Sequence, residues 1–394
     1  MADTAFPLAT ASWDEKEYAA IQRVIASGHF SMGPEVAQFE RDFAEMIGSK
    51  YAVMVNSGSS ANLLFVASLR YHSVHGLHPG DEVLVPAVSW STTYFPLHQY
   101  GLKLKFVDID LDTLNFNLDA LAAAITPQTR AIMAVNLLGN PNDFDAIEAI
   151  IGEHDIVLLE DNCESLGATF NGKQAGTFGL AGSYSAFFSH HISTMEGGIV
   201  VTDDEELYHI MLSMRAHGWT RNLPKKNHVT GTKSDDMFEE AFKFVLPGYN
   251  LRPLEMSGAI GQEQIRKLPM IVEERRANAD RFRAVLQEFP QITIQKEIGE
   301  SSWFGFSMVL RPDAGISRAD LIEALTEAGV ECRPIVAGNF AKNAVVTKYF
   351  DYSVHGNLAN ADIVDTNGLF IGNHHYPLDP QMDVLRAALT AAFG

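Results

Sequence analysis

Two kinds of hydrophobic pattern alternate along the first two thirds of the chain. Short apolar runs at residues 51–55, 82–86, 103–108, 131–136, 156–160, 183–188 and 199–202 read as strands. Several are apolar on both faces, the signature of strands buried in a mostly parallel sheet. Helical periodicity separates them, for example at 118–125 and 144–151. Such alternation predicts a wound α/β sheet with helices on both faces. Two helices precede it. Ser12-Trp13-Asp14-Glu15 reads as a capping box with Gly28 as the stop, and Pro34 opens a second helix that ends before Gly48. Beyond the sheet come a helix at 205–216, a polar irregular stretch at 220–236 and a helix at 255–268. A strand at 303–310, a helix at 317–328 capped by Ser317 and a strand near 330–334 complete a smaller α+β unit. The expected division is a large domain over 1–265 and a small C-terminal domain over 266–394.

Composition narrows the function. Hydrophobic residues make up 46% of the 394 positions, enough for a large core and too many for a disordered chain. The net charge of −20 repels phosphate backbones, which argues against nucleic acid as a partner. A single phosphorylated ligand remains compatible, because a few N–H groups and one or two arginines hold it locally. Two cysteines, Cys163 and Cys332, are too few for a disulfide scaffold, an all-cysteine zinc site or a four-cysteine iron–sulfur cluster. The start of the sequence lacks a signal-peptide pattern, and no apolar stretch approaches the roughly 18 residues of a membrane span. A cytoplasmic setting is expected.

Ligands of open α/β sheets bind beyond the carboxyl ends of the strands. After 51–55 comes Asn56-Ser57-Gly58-Ser59-Ser60-Ala61-Asn62, which reads either as a phosphate cradle at a helix N-terminus or as a plain Ser/Gly turn with its cap. After 82–86 stands Trp90, either a plate for a flat ring or a core residue. After 156–159 comes Glu160-Asp161-Asn162-Cys163-Glu164. An acid leaving a buried strand needs a cationic or hydrogen-bonding partner, so Asp161 either holds a protonated ring nitrogen or caps the next segment. After 183–188, Ser189, His190 and His191 lead to Glu196-Gly197-Gly198. Adjacent histidines diverge and no third ligand is placed nearby, so no metal site is assigned.

In their order and spacing these segments, with Tyr249-Asn250-Leu251-Arg252-Pro253, resemble the nucleotide-sugar aminotransferase family of fold-type I pyridoxal-phosphate (PLP) enzymes. The likeness runs along nearly the whole chain. One departure stands out. The aminotransferases carry the PLP-anchoring lysine eight residues before the second glycine of the Glu-Gly-Gly turn, and here that position is His190. Imidazole cannot form an imine with the cofactor aldehyde, yet it moves protons near neutral pH. The surrounding Ser189-His190-His191-Ile192-Ser193-Thr194-Met195-Glu196-Gly197-Gly198 is similar to the sugar 3-dehydratase branch of the family, as are Arg215-Ala216-His217-Gly218-Trp219-Thr220-Arg221-Asn222 and Arg333-Pro334-Ile335-Val336-Ala337-Gly338-Asn339-Phe340. With two cysteines, the resemblance is to the branch members that use L-glutamate and no iron–sulfur cluster.

The resemblance implies PLP bound without a covalent anchor and cycling to pyridoxamine phosphate (PMP). It implies phosphate contacts from Gly58, Ser59 and Ser185, Asp161 at the pyridine nitrogen, Trp90 stacked on the ring and Glu164 near the phenolic oxygen. His190 becomes the catalytic base. Ser189, His217, Arg221 and Arg333 are implied substrate contacts, while Asn250 and Arg252 resemble a segment that reaches a neighbouring subunit's cofactor. The implied reaction removes the C3 hydroxyl of a GDP-linked 4-keto-6-deoxy sugar in a homodimer with shared sites. Two rivals stay open: an aminotransferase or a dehydratase for another nucleotide such as CDP, and a non-catalytic binding protein. No lysine near His190 favours the first, the nearest being Lys173 and Lys225, and the intact Asp161 and phosphate turn disfavour the second.

Overall fold

The computed structural model describes residues 4–394. The chain enters through α1 (Glu15–Ser27) and α2 (Pro34–Ile47). It then alternates through β1 (Tyr51–Val55), α3 (Gly58–Leu69), β2 (Glu82–Pro86), α4 (Ser91–Gln99), β3 (Lys103–Val107), α5 (Leu118–Ala124), β4 (Thr129–Val135), α6 (Phe144–Ile151) and β5 (Val157–Asp161). A hairpin of β6 (Thr169–Phe170) and β7 (Lys173–Gln174) precedes β8 (Ala181–Ser185), β9 (Gly198–Thr202) and α7 (Glu205–Met214). A second hairpin, β10 (Lys226–Asn227) and β11 (Gly231–Thr232), and α8 (Met237–Ala241) lead into the long α9 (Glu255–Leu286). The remainder is β12 (Ile292–Thr293), β13 (Gly305–Leu310), α10 (Arg318–Glu327), β14 (Cys332–Arg333), α11 (Ala344–Tyr349), β15 (Tyr352–Val354), α12 (Ala359–Asn367), β16 (Gly368–Gly372) and α13 (Asp379–Phe393).

The large sheet has the order β1-β9-β8-β5-β4-β2-β3-β15. Its strands pair in parallel except where β9 runs against both β8 and β1. Successive residues of one strand enter opposite cores. Val83 and Val85 belong to the buried cluster that takes in α3 and α7, whereas Leu84 belongs to another with Leu121 of α5 and Ile147 of α6. That period of two explains why the strands read as unbroken apolar runs: both faces are covered by helices. A second sheet, β12-β13-β16-β14, is antiparallel and packs on α9, α10 and α13, with Phe282 stacked on Phe306 at 4.4 Å.

Several expected boundaries move. The cap of α1 is Asp14, whose side chain accepts from the Lys16 N–H while Glu17 accepts from the Asp14 N–H; Ser12 instead donates to Gln264. The helix expected to stop at 268 continues to Leu286 through Pro269. An interior proline costs about 3 kcal/mol, which is outweighed by burial of Leu268, Ile271, Val272, Ala279 and Phe282 along the same helix. The 265/266 division lies inside this helix, which carries the chain from one core to the other. The strand expected at 183–188 is Ala181–Ser185, because the chain turns at once: the Phe187 N–H donates to Ser185 Oγ and the His190 N–H to the Phe187 carbonyl. Ser189 and His190 therefore ride on a loop beyond the strand.

Candidate active site

The carboxyl ends of the parallel strands open into a cavity of about 670 Å³. Gly58, Ser59, Trp90, Asp161, Glu164, Ser185, Ser189, His190 and Arg333 all line it. The first turn of α3 forms one wall. Ser57 caps the helix, its Oγ accepting from the Ser60 N–H at 3.1 Å and its carbonyl from the Ala61 N–H at 3.0 Å. The N–H groups of Gly58 and Ser59 are left without an intramolecular partner among the described residues, at the positive end of a twelve-residue helix. Gly58 is required by close approach: a Cβ there would sit 2.6 Å from Ser185 Cβ and 2.9 Å from Cys163 Sγ. The same contact brings the Ser185 hydroxyl beside the helix terminus. Two free N–H groups and a hydroxyl form a donor set fitted to a phosphate.

Asp161 ends β5 and is 5% exposed. Its Oδ2 accepts from Asn62 Nδ2 and Thr93 Oγ1, each at 2.8 Å, and its Oδ1 from the Cys163 N–H at 3.1 Å. The Asn62 amide is oriented in turn, because Ser183 Oγ donates to Asn62 Oδ1 at 2.6 Å. The carboxylate forms no ion pair among the described residues, so this buried negative charge faces the cavity without a counter-ion. Such a group fits a protonated ring nitrogen. Trp90, the N-cap residue of α4, is 57% exposed and stacks on no other ring among the described residues, leaving its face free for a planar ligand.

Glu164 accepts from the Leu138 N–H at 3.0 Å, and burial together with the Asp161 charge raises its pKa to about 7. Glu160, singled out with Asp161, points to the opposite side, where it accepts from the N–H groups of Gly176, Phe178 and Gly179. Burial lifts its pKa to about 7 as well.

His190 is held at Nδ1, which lies 2.6 Å from the Cys163 carbonyl oxygen. A carbonyl only accepts, so Nδ1 carries the hydrogen and Nε2 is the basic nitrogen. The ring packs against Phe304 with centroids 4.9 Å apart. Burial pushes its pKa down to about 4, leaving the imidazole neutral at physiological pH. His191 turns away to the Ser302 carbonyl.

Four expected residues lie elsewhere. His217, Arg221, Asn250 and Arg252 surround Trp219 outside the cavity. The Arg221 and Arg252 guanidinium groups stand 4.9 and 5.8 Å from the Trp219 ring, and Arg252 Nε donates to Asn250 Oδ1 at 2.9 Å. Beside them the surface exposes Met237, Phe238, Phe242 and Phe244. Sequence reasoning missed Thr93, one of three consecutive hydroxyl residues that open α4, and Phe304, which nothing in its own neighbourhood marks.

The comparisons with known proteins agree with this architecture. Residues 11–382 match the DegT/DnrJ/EryC1/StrS aminotransferase family. The chain belongs to that family. Its fold is therefore that of the fold-type I PLP enzymes, which the large mixed sheet and smaller C-terminal unit already describe. GDP-4-keto-6-deoxy-D-mannose 3-dehydratase of Escherichia coli is 62% identical over 384 residues, covering 98% of this chain and 99% of that one. A crystal structure of GDP-4-keto-6-deoxymannose-3-dehydratase with a trapped PLP-glutamate geminal diamine superposes with a TM-score of 0.96, at 61% identity over 98% of this chain and 100% of that one. A histidine-to-asparagine mutant of that enzyme with bound GDP-perosamine gives the same score, identity and coverage.

Proposed function

We propose that this protein is a PLP-dependent 3-dehydratase acting on GDP-4-keto-6-deoxy-D-mannose, with L-glutamate as amino donor. The C3 hydroxyl leaves the sugar as water and the borrowed amino group leaves as ammonia, giving a GDP-linked 4-keto-3,6-dideoxy sugar. The carrying observation is His190: a neutral imidazole whose Nε2 has no partner among the described residues, at the position where the resemblance requires an anchoring lysine.

Bound PLP or PMP supplies an electron sink for breaking bonds next to the amino-bearing carbon. The rest is done by the chain. Gly58 N–H, Ser59 N–H and Ser185 Oγ hold the phosphate, Asp161 keeps the ring nitrogen protonated and Trp90 covers the ring face. Glu164, which retains its proton up to about pH 7, faces the phenolic oxygen. His190 accepts a proton on Nε2 in the glutamate half-reaction and serves as the base again in the sugar half, its Nδ1–H staying on the Cys163 carbonyl. With no lysine amine in the cavity lining, nothing displaces an aminated product and dehydration is the exit. Cofactor retention is non-covalent and needs no iron–sulfur cluster.

Among the described residues Arg333 is the one Arg or Lys lining the cavity. A diphosphate, a cofactor phosphate and a dicarboxylate donor need more positive charge than that. His217, Arg221, Asn250 and Arg252, grouped outside the cavity next to an exposed aromatic surface, are suited to supply it to a second copy of the chain. We therefore assign a homodimer with shared sites, working in the cytoplasm on a soluble nucleotide sugar.

Mass spectrometry of the sugar nucleotide after incubation with PLP, L-glutamate and GDP-4-keto-6-deoxymannose tests the reading. A product one oxygen lighter with 2-oxoglutarate formed supports it. An aminated sugar, or an unchanged one, defeats it.

A further inference from the structure

Arg275 comes from the middle of α9 and is 5% exposed. Its Nη1 donates to the carbonyl oxygens of Phe304 at 2.9 Å and Trp303 at 3.3 Å, and its buried Nε has no partner. It forms no ion pair among the described residues, and burial alone lowers its pKa to about 10. A neutral amide would serve the same two carbonyls without the cost of an uncompensated buried charge. The charge itself therefore needs a reason.

The segment that Arg275 grips is held from several sides. Trp303 has φ +48, in the left-handed region, and its carbonyl also accepts from Asn373 Nδ2 at 2.9 Å. The Phe304 N–H donates to the Leu138 carbonyl at 3.0 Å, and the Leu138 N–H donates to Glu164. The Phe304 ring is the wall against which His190 packs. The groups around His190 are Asp161, Glu164 and the Cys163 carbonyl at and after the end of β5, Phe304 before β13, Arg275 from α9, and Glu196 and Arg333 of the same cavity lining, while the adjacent His191 is turned to the Ser302 carbonyl. The Asp161 charge favours the imidazolium and the Arg275 charge opposes it. Burial is the main cause that disfavours protonation of His191, His374 and His375, and the Arg275 charge acts in the same direction on each.

We infer that Arg275 is a positioning residue for the proton transfer assigned to His190: its guanidinium, held on the Trp303 and Phe304 carbonyls, fixes the Phe304 wall against which the imidazole packs and sets a buried positive charge beside that wall. The inference rests on the proposed reaction for the identity of the chemistry, whereas the effect on His190 is measurable without turnover.

The test compares Arg275→Gln with Arg275→Lys in the full chain loaded with PLP. Both lose the planar fork and only the first loses the charge. The His190 midpoint is read by NMR of 13C-labelled histidine, with the resonance identified by its loss in His190→Asn. Arg275→Gln should raise the midpoint by about one unit or more, roughly a tenfold change in proton affinity. Arg275→Lys should leave it near the parent value, and the acid limb of dehydration should move with the midpoint. Equal midpoints in the two variants overturn the inference. So does a parent midpoint at or above about 6.5, an outcome that requires no variant to fold. If the parent leaves the sugar nucleotide unchanged, the proposed reaction fails, and the midpoint comparison still decides the role of Arg275.

Discussion

His190 and the Cys163 carbonyl are joined by a hydrogen bond of 2.6 Å that links the loop after β8 to the end of β5. Asp161 lies two residues before Cys163 and Glu164 one residue after it, so the base and both carboxyl groups share one short stretch of backbone. The bond also selects the tautomer, because the carbonyl leaves Nδ1 only the role of donor.

Replacing His190 therefore separates binding from proton transfer. His190→Asn should bind PLP with little change and slow dehydration by roughly 10²–10⁴-fold, the usual contribution of a positioned base. His190→Lys should anchor the cofactor covalently, which mass spectrometry after borohydride reduction detects, and should lose dehydration. Parent-like dehydration by His190→Lys would remove the role assigned to the imidazole.

The pH profile follows from two shifted groups. Burial depresses His190 to about 4, and Glu164 is raised to about 7 by burial and the neighbouring Asp161 charge. The rate should hold between those values and fall above about 7, as Glu164 loses its proton. Glu164→Gln should flatten the alkaline limb and leave the acid limb in place. Stability moves with opposite signs. The folded state binds fewer protons than the unfolded one at His190 between about 6.5 and about 4, so that contribution is lost on acidification. It binds more at Glu164 between 4.5 and about 7, so that contribution is lost as pH rises. Thermal melts of His190→Asn and Glu164→Gln across this range should each remove one of the two slopes. A variant that melts with the parent's pH dependence contradicts its assignment.

Gly58 offers a test of the phosphate wall. Its missing Cβ lets Ser185 Cβ approach to within 2.6 Å of where that atom would stand. Gly58→Ala should destabilise the fold by about 1–3 kcal/mol through overpacking and weaken PLP binding, read by absorbance titration. Adding Ser185→Gly relieves the nearer of the two clashes, leaves the one with Cys163 Sγ at 2.9 Å, and removes a hydroxyl donor. The double variant should thus regain part of the stability without regaining cofactor affinity; recovery of both would mean that Ser185 does not contact the phosphate.

Local chemistry explains which features were legible. β1 and β2 carry apolar runs bounded by polar turns, and their limits agree with the pattern to the residue. The strands are followed by Gly58, Trp90, Asp161 and His190, and the fold gathers all four at one cavity. Pro269 hid the second half of α9, because the burial that overrides it comes from residues far along the chain. β15 was invisible for a similar reason: Tyr352–Val354 is only three residues long and becomes a strand by pairing with β3. Asn62 and Thr93 position Asp161 from two different helices, and that convergence is a property of the tertiary fold.

The exposed surface around Trp219 carries the last prediction. Met237, Phe238, Phe242 and Phe244 are 85%, 91%, 70% and 58% exposed, four large apolar side chains within residues 237–244 and more apolar surface than is left in water without reason. Trp219 beneath it bears Arg221 and Arg252 on its face, so covering the aromatics with a second copy would also bury both cations against that copy. Phe238→Glu with Phe242→Glu places two carboxylates where apolar surface should be buried. Sedimentation velocity should then show a shift from dimer to monomer, with dehydration lost and PLP retained more weakly, while the far-ultraviolet circular dichroism stays unchanged. Arg221→Ala and Arg252→Ala leave the aromatics in place, so they should keep the dimer and raise KM for the sugar nucleotide or for glutamate. A double-glutamate variant that remains dimeric and active would show that the second copy docks elsewhere, and the shared-site assignment would fall with it.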